Sequence, residues 1–398
     1  MLLFLLPFIL GFTPIETAQQ LAEIESGSYI LTSDINLEDW TPINFSGTLD
    51  GQGHKITNLN DSLFAVLNDA TIQNLHIEGT ANTGLMAAKA IDSTIVDSTA
   101  AGVVTGKDIT GGFVGYAENS AFKACQAFVN VQGNSNVGGF VGMVGKESLF
   151  VQCQSHGNVS AEKTAGGFVG SAQGRSLDEN ANHGIKMIQC HSFGDVSSKD
   201  TAGGFAGGLR YAFVDAASAK GSVKAAKDDT GGFVGRHSHK SRITNAIAYG
   251  DVVGDLAGGF VGTLSQGSAI EYALSAGDVS GTSCAGGFAG IIDSEGAPNT
   301  LTYCLSFSNR VTSKGNVQRF AGLLKHDGVN NCYAYLGTVV AGSDGLCHVT
   351  PNPYGADAAD FNNATIEGIM QRLGFDNRYW EFDNNFKKPK LRITSTNR

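Results

Sequence analysis

The chain has 398 residues, of which 53 are glycine and only 7 are proline, and its formal net charge is −10. An acidic balance argues against general nucleic-acid binding, which depends on clustered basic residues. The length would accommodate two or three average domains, but a repeat that runs through most of the chain favours a single one.

The chain begins with a run of apolar residues from Met1 to Phe12. Its length matches the hydrophobic region of a secretory signal peptide and is too short to span a bilayer. No Lys or Arg precedes the run and no clean small-residue cleavage site follows it, so an apolar N-terminal cap is the alternative interpretation. No other stretch is apolar enough to cross a membrane, so we expect no transmembrane span.

A short amphipathic helix is predicted over Thr17–Ser26, where it would cap the open edge of a stack of strands. Residues 13–83 are predicted to hold this cap and a set of irregular first coils. A regular array of repeats then occupies residues 84–340, and residues 341–398 form a closing segment. Within that segment, Asp357–Leu373 predicts a second capping helix, because its apolar residues recur near a helical spacing.

The array is built on one five-residue phrase that recurs at a nearly fixed interval. It reads Gly-Gly-Phe-Val-Gly or Gly-Gly-Phe-Ala-Gly. The copies are 27, 28, 37, 28, 27 and 28 residues apart and begin at Gly111, Gly138, Gly166, Gly203, Gly231, Gly258 and Gly286. A repeat of this length indicates a solenoid, since a propeller blade needs roughly 40 residues or more.

Two further columns are found when the units are aligned on that phrase. The first column holds small residues, namely Cys125, Cys153, Cys190, Ala216, Ala246, Ala273, Cys304 and Cys332. The second column holds valines, namely Val131, Val159, Val196, Val223, Val252, Val279, Val311 and Val339. Between them lie short β-prone segments and glycine-rich or polar corners.

This pattern predicts an all-β fold, a right-handed parallel β-helix (solenoid) of about 10–12 coils with short N- and C-terminal capping helices. Identical positions of successive coils should then stack into ladders about 4.8 Å apart. The phenylalanines of the repeated phrase would form an internal aromatic stack. Each coil would depend on its neighbours to bury its apolar face.

Five of the seven cysteines fall in the small-residue column, and the other two are Cys284 and Cys347. Stacked side chains point in parallel and rarely meet the dihedral geometry of a disulfide, so we predict that Cys125, Cys153 and Cys190 are buried thiols. Disulfides are the alternative. The absence of Cys-x-x-Cys gives no support to a metal site, and the odd total weakly opposes a strongly oxidising compartment.

The usual signatures of catalysis are absent, including His-Glu-x-x-His, a phosphate loop and Gly-x-Ser-x-Gly. Asp251 and Asp278 share one position in adjacent units, and a pair about 5 Å apart could serve a retaining glycosidase or bind Ca²⁺. Because Gly-Asp or Gly-Asn recurs in other units, we interpret this position as a turn whose side chain bonds to the backbone. We therefore predict no catalytic residue, no cofactor and no metal.

The corner that follows the repeated phrase is short and neutral in most units but basic in three successive ones. Coils would stack these three corners on one edge, and binding sites concentrate in loops on rigid scaffolds. A cluster of solvated loops is the alternative, and a metal pair at His237 and His239 lacks an evident third ligand. The candidate binding residues are Arg175, His183, Arg210, Tyr211, Arg236, His237, His239, Lys240 and Arg242.

The repeated phrase and its flanks resemble the GLUG-motif family of bacterial-type secreted and surface proteins, whose repeats also precede some immunoglobulin-A protease domains. The likeness extends to Tyr29–Leu37 and Phe45–Leu59 near the start and to Gly374–Phe375 near the end. The cysteine-rich ladder and the longer unit between Gly166 and Gly203 depart from the family pattern. The resemblance implies a β-helix and an extracellular setting, and it implies no reaction.

We therefore expect a secreted or cell-surface β-helix that acts without catalysis in adhesion, carbohydrate binding or surface scaffolding. Its partner would be an acidic glycan or another cell-surface component, and not a nucleic acid. The chief alternative is a polysaccharide lyase or hydrolase of the pectin-lyase-like type, which rests on fold analogy alone. An oligomeric phage or surface-assembly component is a second alternative.

Overall fold

The computed structural model of the protein describes residues 11–175, 184–293, 295–325, 328–343, 345–346, 357–383 and 388–392. Across these residues, short strands join one sheet that winds through about 11 coils of a parallel β-solenoid. Successive coils pair in parallel at matched positions, as Val141 with Val169 and Val169 with Ala206. The predicted all-β parallel β-helix is therefore confirmed.

The strands of the first coils are Thr13–Ile15, Ser26–Leu31, Ile35–Asn36, Ile43–Asp50, Lys55–Leu59, Phe64–Gln73 and His76–Ala81. Those of the first half of the array are Ala87–Ile91, Thr94–Val96, Thr99–Thr105, Thr110–Gly111, Val114–Glu118, Ala121–Lys123, Gln126–Gly133, Val137–Gly138, Val141–Gly145, Leu149–Val151, Gln154–Ser155, Val159–Ala161, Thr164–Gly166, Val169–Gln173, Ile185–Ile188, His191–Ser192, Val196–Ser198 and Thr201–Gly203. Those of its second half are Ala206–Arg210, Ala212–Asp215, Ser218–Ala219, Val223–Ala225, Asp229–Gly231, Val234–Ser238, Arg242–Ala248, Val252–Gly258, Val261–Leu264, Ala269–Ser275, Val279–Gly286, Ala289–Ile292, Thr300–Thr302, Leu305–Ser306, Arg310–Ser313, Asn316–Gln318, Ala321–Leu324, Val329–Asn330, Tyr333–Tyr335 and Val339–Gly342. The remaining strands are Gly345–Leu346, Ala359–Phe361, Trp380–Asp383 and Lys388–Leu391.

The N-terminal helix, α1, spans Ala18–Ala22 and begins with a reciprocal capping box between Thr17 and Gln20. Leu21 on its inner side is fully buried, so the predicted amphipathic cap is present although it is shorter than Thr17–Ser26. The first ten residues lie outside the described part of the chain, and they make up most of the predicted signal-like run. No helix within the described residues has both the length and the apolar character to cross a bilayer.

The phenylalanines of the repeated phrase form one continuous stack inside the β-helix, as predicted. From Phe113 to Phe320 every ring of the column is fully buried, and neighbouring ring centroids lie between 4.8 and 5.0 Å apart. The members are Phe113, Phe140, Phe168, Phe205, Phe233, Phe260, Phe288 and Phe320. Nearly parallel rings at this spacing add to the stabilisation that each ring gains from burial.

The second glycine of each phrase lies where the backbones of two coils come close. A Cβ placed on Gly204 would lie 2.1 Å from the carbonyl oxygen of Gly232 in the next coil. The same distance separates a Cβ on Gly232 from the oxygen of Gly259. Any side chain would therefore push adjacent coils apart, which explains why the residue recurs.

Arg319 takes the place of that glycine in the unit after Gly286, and within the described residues no further strand pairs with the strands on either side of it. Its guanidinium is buried and donates from Nε and Nη2 to the carbonyl oxygen of Asp357, at 3.2 and 3.0 Å. It also pairs with the carboxylate of Asp360. Arg319 thus donates hydrogen bonds to the segment around Asp357, which lies at this end of the stack.

The small-residue and valine columns each contain one error in the sequence alignment. Ala217, and not Ala216, accepts the backbone bond from Ile247, whereas Ala216 has a left-handed φ of 54° in the preceding turn. At the other end Val311 pairs with Val340, and Val339 is 41% exposed. The first error arises where the distance from the repeated phrase to the column falls from 24 residues (Gly166 to Cys190) to 14 (Gly203 to Ala217). The second arises because the distance between the columns grows from six residues (Ala217 to Val223) to eight (Cys332 to Val340).

The second helix, α2, spans Ile366–Leu373 and ends at Gly374, whose φ of 81° is left-handed. The helix predicted over Asp357–Leu373 is therefore too long, because Ala359–Phe361 pairs with Tyr333–Tyr335 as a strand. Its buried residues pack with outward-facing side chains of successive coils, namely Ile247, Leu274 and Leu305. An antiparallel hairpin of Trp380–Asp383 and Lys388–Leu391 extends this cover.

All six cysteines that the structure describes are buried and free, including Cys125, Cys153 and Cys190. The Sγ atoms of Cys153 and Cys190 each lie 3.5 Å from the carbonyl oxygen two residues earlier. Burial raises the pKa of the Cys125 and Cys153 thiols well above the ordinary value. The prediction of buried thiols is confirmed, and Cys347 lies outside the described residues.

Replacing Phe233 with alanine should lower the free energy of unfolding by about 3–5 kcal/mol, because the ring is held between two others and its loss leaves a cavity. Phe128→Ala is the matched control, since Phe128 is 47% exposed on the outer wall and should cost under about 1.5 kcal/mol. Urea unfolding of both variants measures the difference. Equal losses would mean that the internal stack does not hold the coils together.

The buried thiols should resist a thiol reagent in the folded protein and react once it is denatured, because a protonated and inaccessible sulfur is a poor nucleophile. Peptide mapping after brief labelling in native buffer should find Cys125, Cys153 and Cys190 unmodified. The same treatment in denaturant should label all three. Peptides joined through these residues would instead show that the ladder is oxidised.

Candidate functional site

The recurrent carboxylates accept hydrogen bonds from the backbone of the neighbouring coil. Oδ1 of Asp251 accepts from the backbone N–H of Asp278 at 2.8 Å, and Oδ1 of Asp278 accepts from that of Asn309 at 2.9 Å. Asn158 does the same for Asp195 at 2.9 Å. The bond therefore links coils, whereas the sequence suggested a bond within one turn. Such a ladder favours a structural role over a glycosidase pair.

The corners after the repeated phrase stack, as the sequence predicted. The backbone N–H of Gly174 donates to Arg210 O at 2.9 Å, and that of Tyr211 donates to His239 O at 3.2 Å. Lys240 continues the series by donating to Gln266 O at 3.0 Å. The basic side chains of three successive coils therefore lie along one edge of the β-helix.

Among the described residues of the predicted set, Arg210, Tyr211 and His239 form the one cluster of direct side-chain contacts. Nη2 of Arg210 lies 3.1 Å from Nε2 of His239, and the Tyr211 and His239 rings meet edge to face at 5.5 Å. Burial, and then the charge of Arg210, lower the pKa of His239. A neutral imidazole is consistent with Nε2 accepting from the guanidinium.

The other cations of this edge point into solvent. Arg175, Lys240 and Arg242 are exposed, and in the part of the chain that the structure describes they have no ion-pair partner. Lys186 is half-buried and lies on the same edge, because Leu149, Lys186, Phe213 and then Arg242 occupy one outward ladder. The name "basic corner" is used below for seven residues, namely Arg175, Lys186, Arg210, Tyr211, His239, Lys240 and Arg242.

Lys186 is absent from the residues predicted from the sequence, because it lies in a strand and the basic pattern was apparent only in the corners. The signal that could have found it is the strand register. Lys186 lies two residues after Gly184, where the chain returns from the insertion, and three residues before Gln189, which starts the next turn with a left-handed φ of 54°. Aligning units on that turn places Lys186 in the Arg242 column.

Arg236 faces outward but, unlike Arg175, Lys240 and Arg242, it has an ion-pair partner among the described residues. Its Nε donates to Oδ2 of Asp229 at 2.6 Å, and the Asp229 side chain is only 2% exposed. The Thr263 hydroxyl donates to the other carboxylate oxygen. This pairing neutralises Arg236 and fixes the direction of its guanidinium.

His237 was expected at the surface and lies inside the β-helix instead. It is fully buried in the ladder between Leu209 and Leu264, because strand residues alternate sides and Arg236 takes the outward position. Nε2 lies 3.3 Å from Ala269 O, and Nδ1 has no hydrogen-bond partner among the described residues. His183, the remaining predicted residue, falls outside the described residues. No described group of three or more His, Cys, Asp or Glu side chains could hold a metal ion.

No protein-family model matches the chain, and no curated protein matches it. Among solved structures, one from Bacteroides ovatus is described as "a putative immunoglobulin A1 protease". It is 16% identical, the alignment covers 96% of this chain and 92% of that chain, and the TM-score is 0.39. Neither an activity nor a ligand is transferred at this level of likeness.

The burial of His237 predicts a specific acid sensitivity. Burial lowers its pKa from 6.5 to about 4, so below pH 6.5 the unfolded chain takes up a proton that the folded chain does not. The free energy of unfolding should therefore be highest above pH 6.5 and fall by as much as about 1.4 kcal/mol per pH unit down to pH 4.

His237→Leu should remove this contribution and match the leucines above and below it. Denaturant unfolding of wild type and variant at a series of pH values between 7 and 4 measures the difference in slope. Because burial also lowers the pKa of His191 to about 4, some acid sensitivity should persist in the variant. Identical slopes for the two proteins would show that His237 is not held neutral.

Proposed function

We propose that this protein is a non-catalytic, extracellular β-helix of the GLUG type that binds acidic glycans through the basic corner. The observation that supports it best is the group of three exposed cations, Arg175, Lys240 and Arg242, and the half-buried Lys186, which have no ion-pair partner within the described residues. They lie on one edge of a chain whose formal net charge is −10. A local excess of positive charge on an acidic protein favours an anionic partner.

The spacing of the cations suits a polymer better than a small anion. Lys186 and Arg242 share a ladder with Phe213 between them, so they lie two coils, or about 10 Å, apart along the β-helix axis. Each exposed contact would contribute only about 0.2–1 kcal/mol, and salt would screen it. Affinity would come from several contacts made at once by one chain of linked charges.

Further features favour a glycan over a nucleic acid, binding over catalysis and an extracellular setting. The corner is confined to a few coils of an acidic protein, and Tyr211 adds a partly exposed ring that could pack against a sugar. The recurrent carboxylates Asp251 and Asp278 are engaged by backbone N–H groups of the next coil. The apolar start of the chain is consistent with export.

The triple variant Arg175→Ala, Lys240→Ala and Arg242→Ala should weaken binding to chondroitin, a glycan whose charge is carboxylate alone, by roughly 10-fold or more at low salt. The melting temperature should stay nearly unchanged, because all three side chains are exposed. Titration calorimetry at two salt concentrations measures the affinity, and wild-type binding should weaken as salt rises.

The matched control removes three exposed cations elsewhere, in Lys227→Ala, Arg310→Ala and Lys314→Ala. The control changes the net charge equally and should bind as the wild type does. Equal losses in both triples would reduce the effect to overall charge and contradict the proposal. Release of unsaturated or shortened products during the titration would favour the lyase or hydrolase instead.

A further inference from the structure

A small polar cleft opens beside the basic corner, on the outer face of the strands that carry the repeated phrase. It encloses about 220 Å³ and is lined by Ser171, Gln173, Thr201, Gly208, Arg210 and Arg236 among others. Gly208 lies in the outward ladder between Ser171 and Arg236, so its missing side chain leaves the gap. Two guanidinium groups from adjacent coils therefore flank one depression.

The fold does not require a glycine at position 208. Its φ is not left-handed, and a Cβ there would meet only the Ser171 hydroxyl oxygen, at an ordinary contact distance of 3.9 Å. At Gly207, the preceding residue, a Cβ would lie 2.6 Å from the carbonyl oxygen of Gly170. Gly207 is thus a packing necessity, whereas the effect of Gly208 is to keep the cleft open.

Both arginines are oriented by partners that leave donors free. Arg236 is held through Nε by the buried Asp229 carboxylate, and within the described residues its two Nη groups have no hydrogen-bond partner. Arg210 is held through Nη2 by His239, whose Nδ1 lies 3.0 Å from Ser238 Oγ. A preoriented guanidinium loses less side-chain entropy when it binds an anion.

The charge and shape of the cleft distinguish among anions. Two guanidinium charges against the Asp229 carboxylate leave a single net positive charge. A sulfate ester carries one negative charge, whereas a phosphate monoester carries about 1.5 to 2 at neutral pH. A carboxylate is planar and one guanidinium fork satisfies both of its oxygens. Two forks on opposite walls, with the Ser171 hydroxyl, instead suit the three free oxygens of a tetrahedral group.

We propose that this cleft binds a sulfate ester of a glycan, with Arg210 and Arg236 as its two guanidinium ligands. Their Cα atoms are one coil and two residues apart, which corresponds to about 8 Å on the sheet surface. That separation leaves room for one tetrahedral anion between the two side chains. The inference rests on the proposed function, because the basic corner would hold the rest of the same chain.

The test compares chondroitin sulfate with chondroitin, which has the same backbone and carboxylates but no sulfate. Wild type should bind the sulfated polymer about tenfold more tightly or better, the effect of one charged hydrogen-bonded group. Gly208→Leu fills the cleft and should bind both polymers with the affinity that wild type shows for chondroitin. Gly208→Ala should fold even if the leucine variant does not, and it should lose part of the preference.

The matched control is Gly368→Leu, because Gly368 is remote in α2 and also has open space around its Cβ. It should keep the full preference for the sulfated polymer. An unchanged preference in Gly208→Leu would overturn the cleft while leaving the proposed function intact. The two proposals can fail separately. If the triple corner variant loses chondroitin binding while Gly208→Leu keeps the wild-type preference for sulfate, the proposed function stands and the cleft is overturned.

Inorganic anions test the cleft without any polymer. Sodium sulfate should raise the melting temperature of wild type and Gly368→Leu more than that of Gly208→Leu, at an ionic strength matched with chloride. Because sulfate also stabilises proteins by exclusion from their surfaces, only the difference between variants counts. No difference would overturn the proposal even if neither polymer binds, and a larger effect of inorganic phosphate would overturn the assignment to sulfate.

Discussion

The close approach of neighbouring coils at the second glycine of each phrase is the constraint on which the structure depends. At Gly204 and Gly232 the space for a Cβ is already occupied by a carbonyl oxygen of the next coil. That contact fixes the register between coils, and the register in turn aligns Phe205, Phe233 and Phe260 face to face. The aromatic stack, the thiol ladder and the carboxylate ladder all follow from the same alignment.

Outward positions are free of this constraint, which is where the chain differs from one coil to the next. The ladder that contains Gly208 runs from Met143 and Ser171 through Arg236 to Thr263, with no shared chemistry. The rigid interior therefore presents variable side chains at known spacing. The basic corner and its cleft occupy a stretch where several consecutive coils carry cations or small residues.

Much of the fold could be predicted from the sequence, because coils of nearly equal length produce a regular repeat in the sequence. The internal position of Phe233 and the burial of Cys153 followed from that period alone. The stacking of the corners at Arg210 and His239 followed as well. The predicted boundary between strand and corner was wrong, because His237 still belongs to the strand, where side chains alternate between the inside and the outside of the β-helix.

The pairing of Arg236 with Asp229 could not be read from the sequence, because it joins the start of one strand to the outward face of another seven residues later. The cleft was equally hidden, since Gly208 is one glycine among 53 and only the space around it sets it apart. The column errors at Ala216 and Val339 arose where turn lengths change. Each miss concerns a contact that the period does not determine.

Arg319 has a consequence for how such a chain can change its length. Every unit that ends in paired glycines can be followed by another unit, so gene duplication or deletion of whole repeats upstream leaves each junction intact. At Arg319 the same close contact cannot be repeated, because the buried guanidinium extends from the position of the glycine and binds the carbonyl oxygen of Asp357. A whole repeat inserted before Arg319 would therefore meet glycine contacts at both of its ends, whereas one inserted directly after it would not.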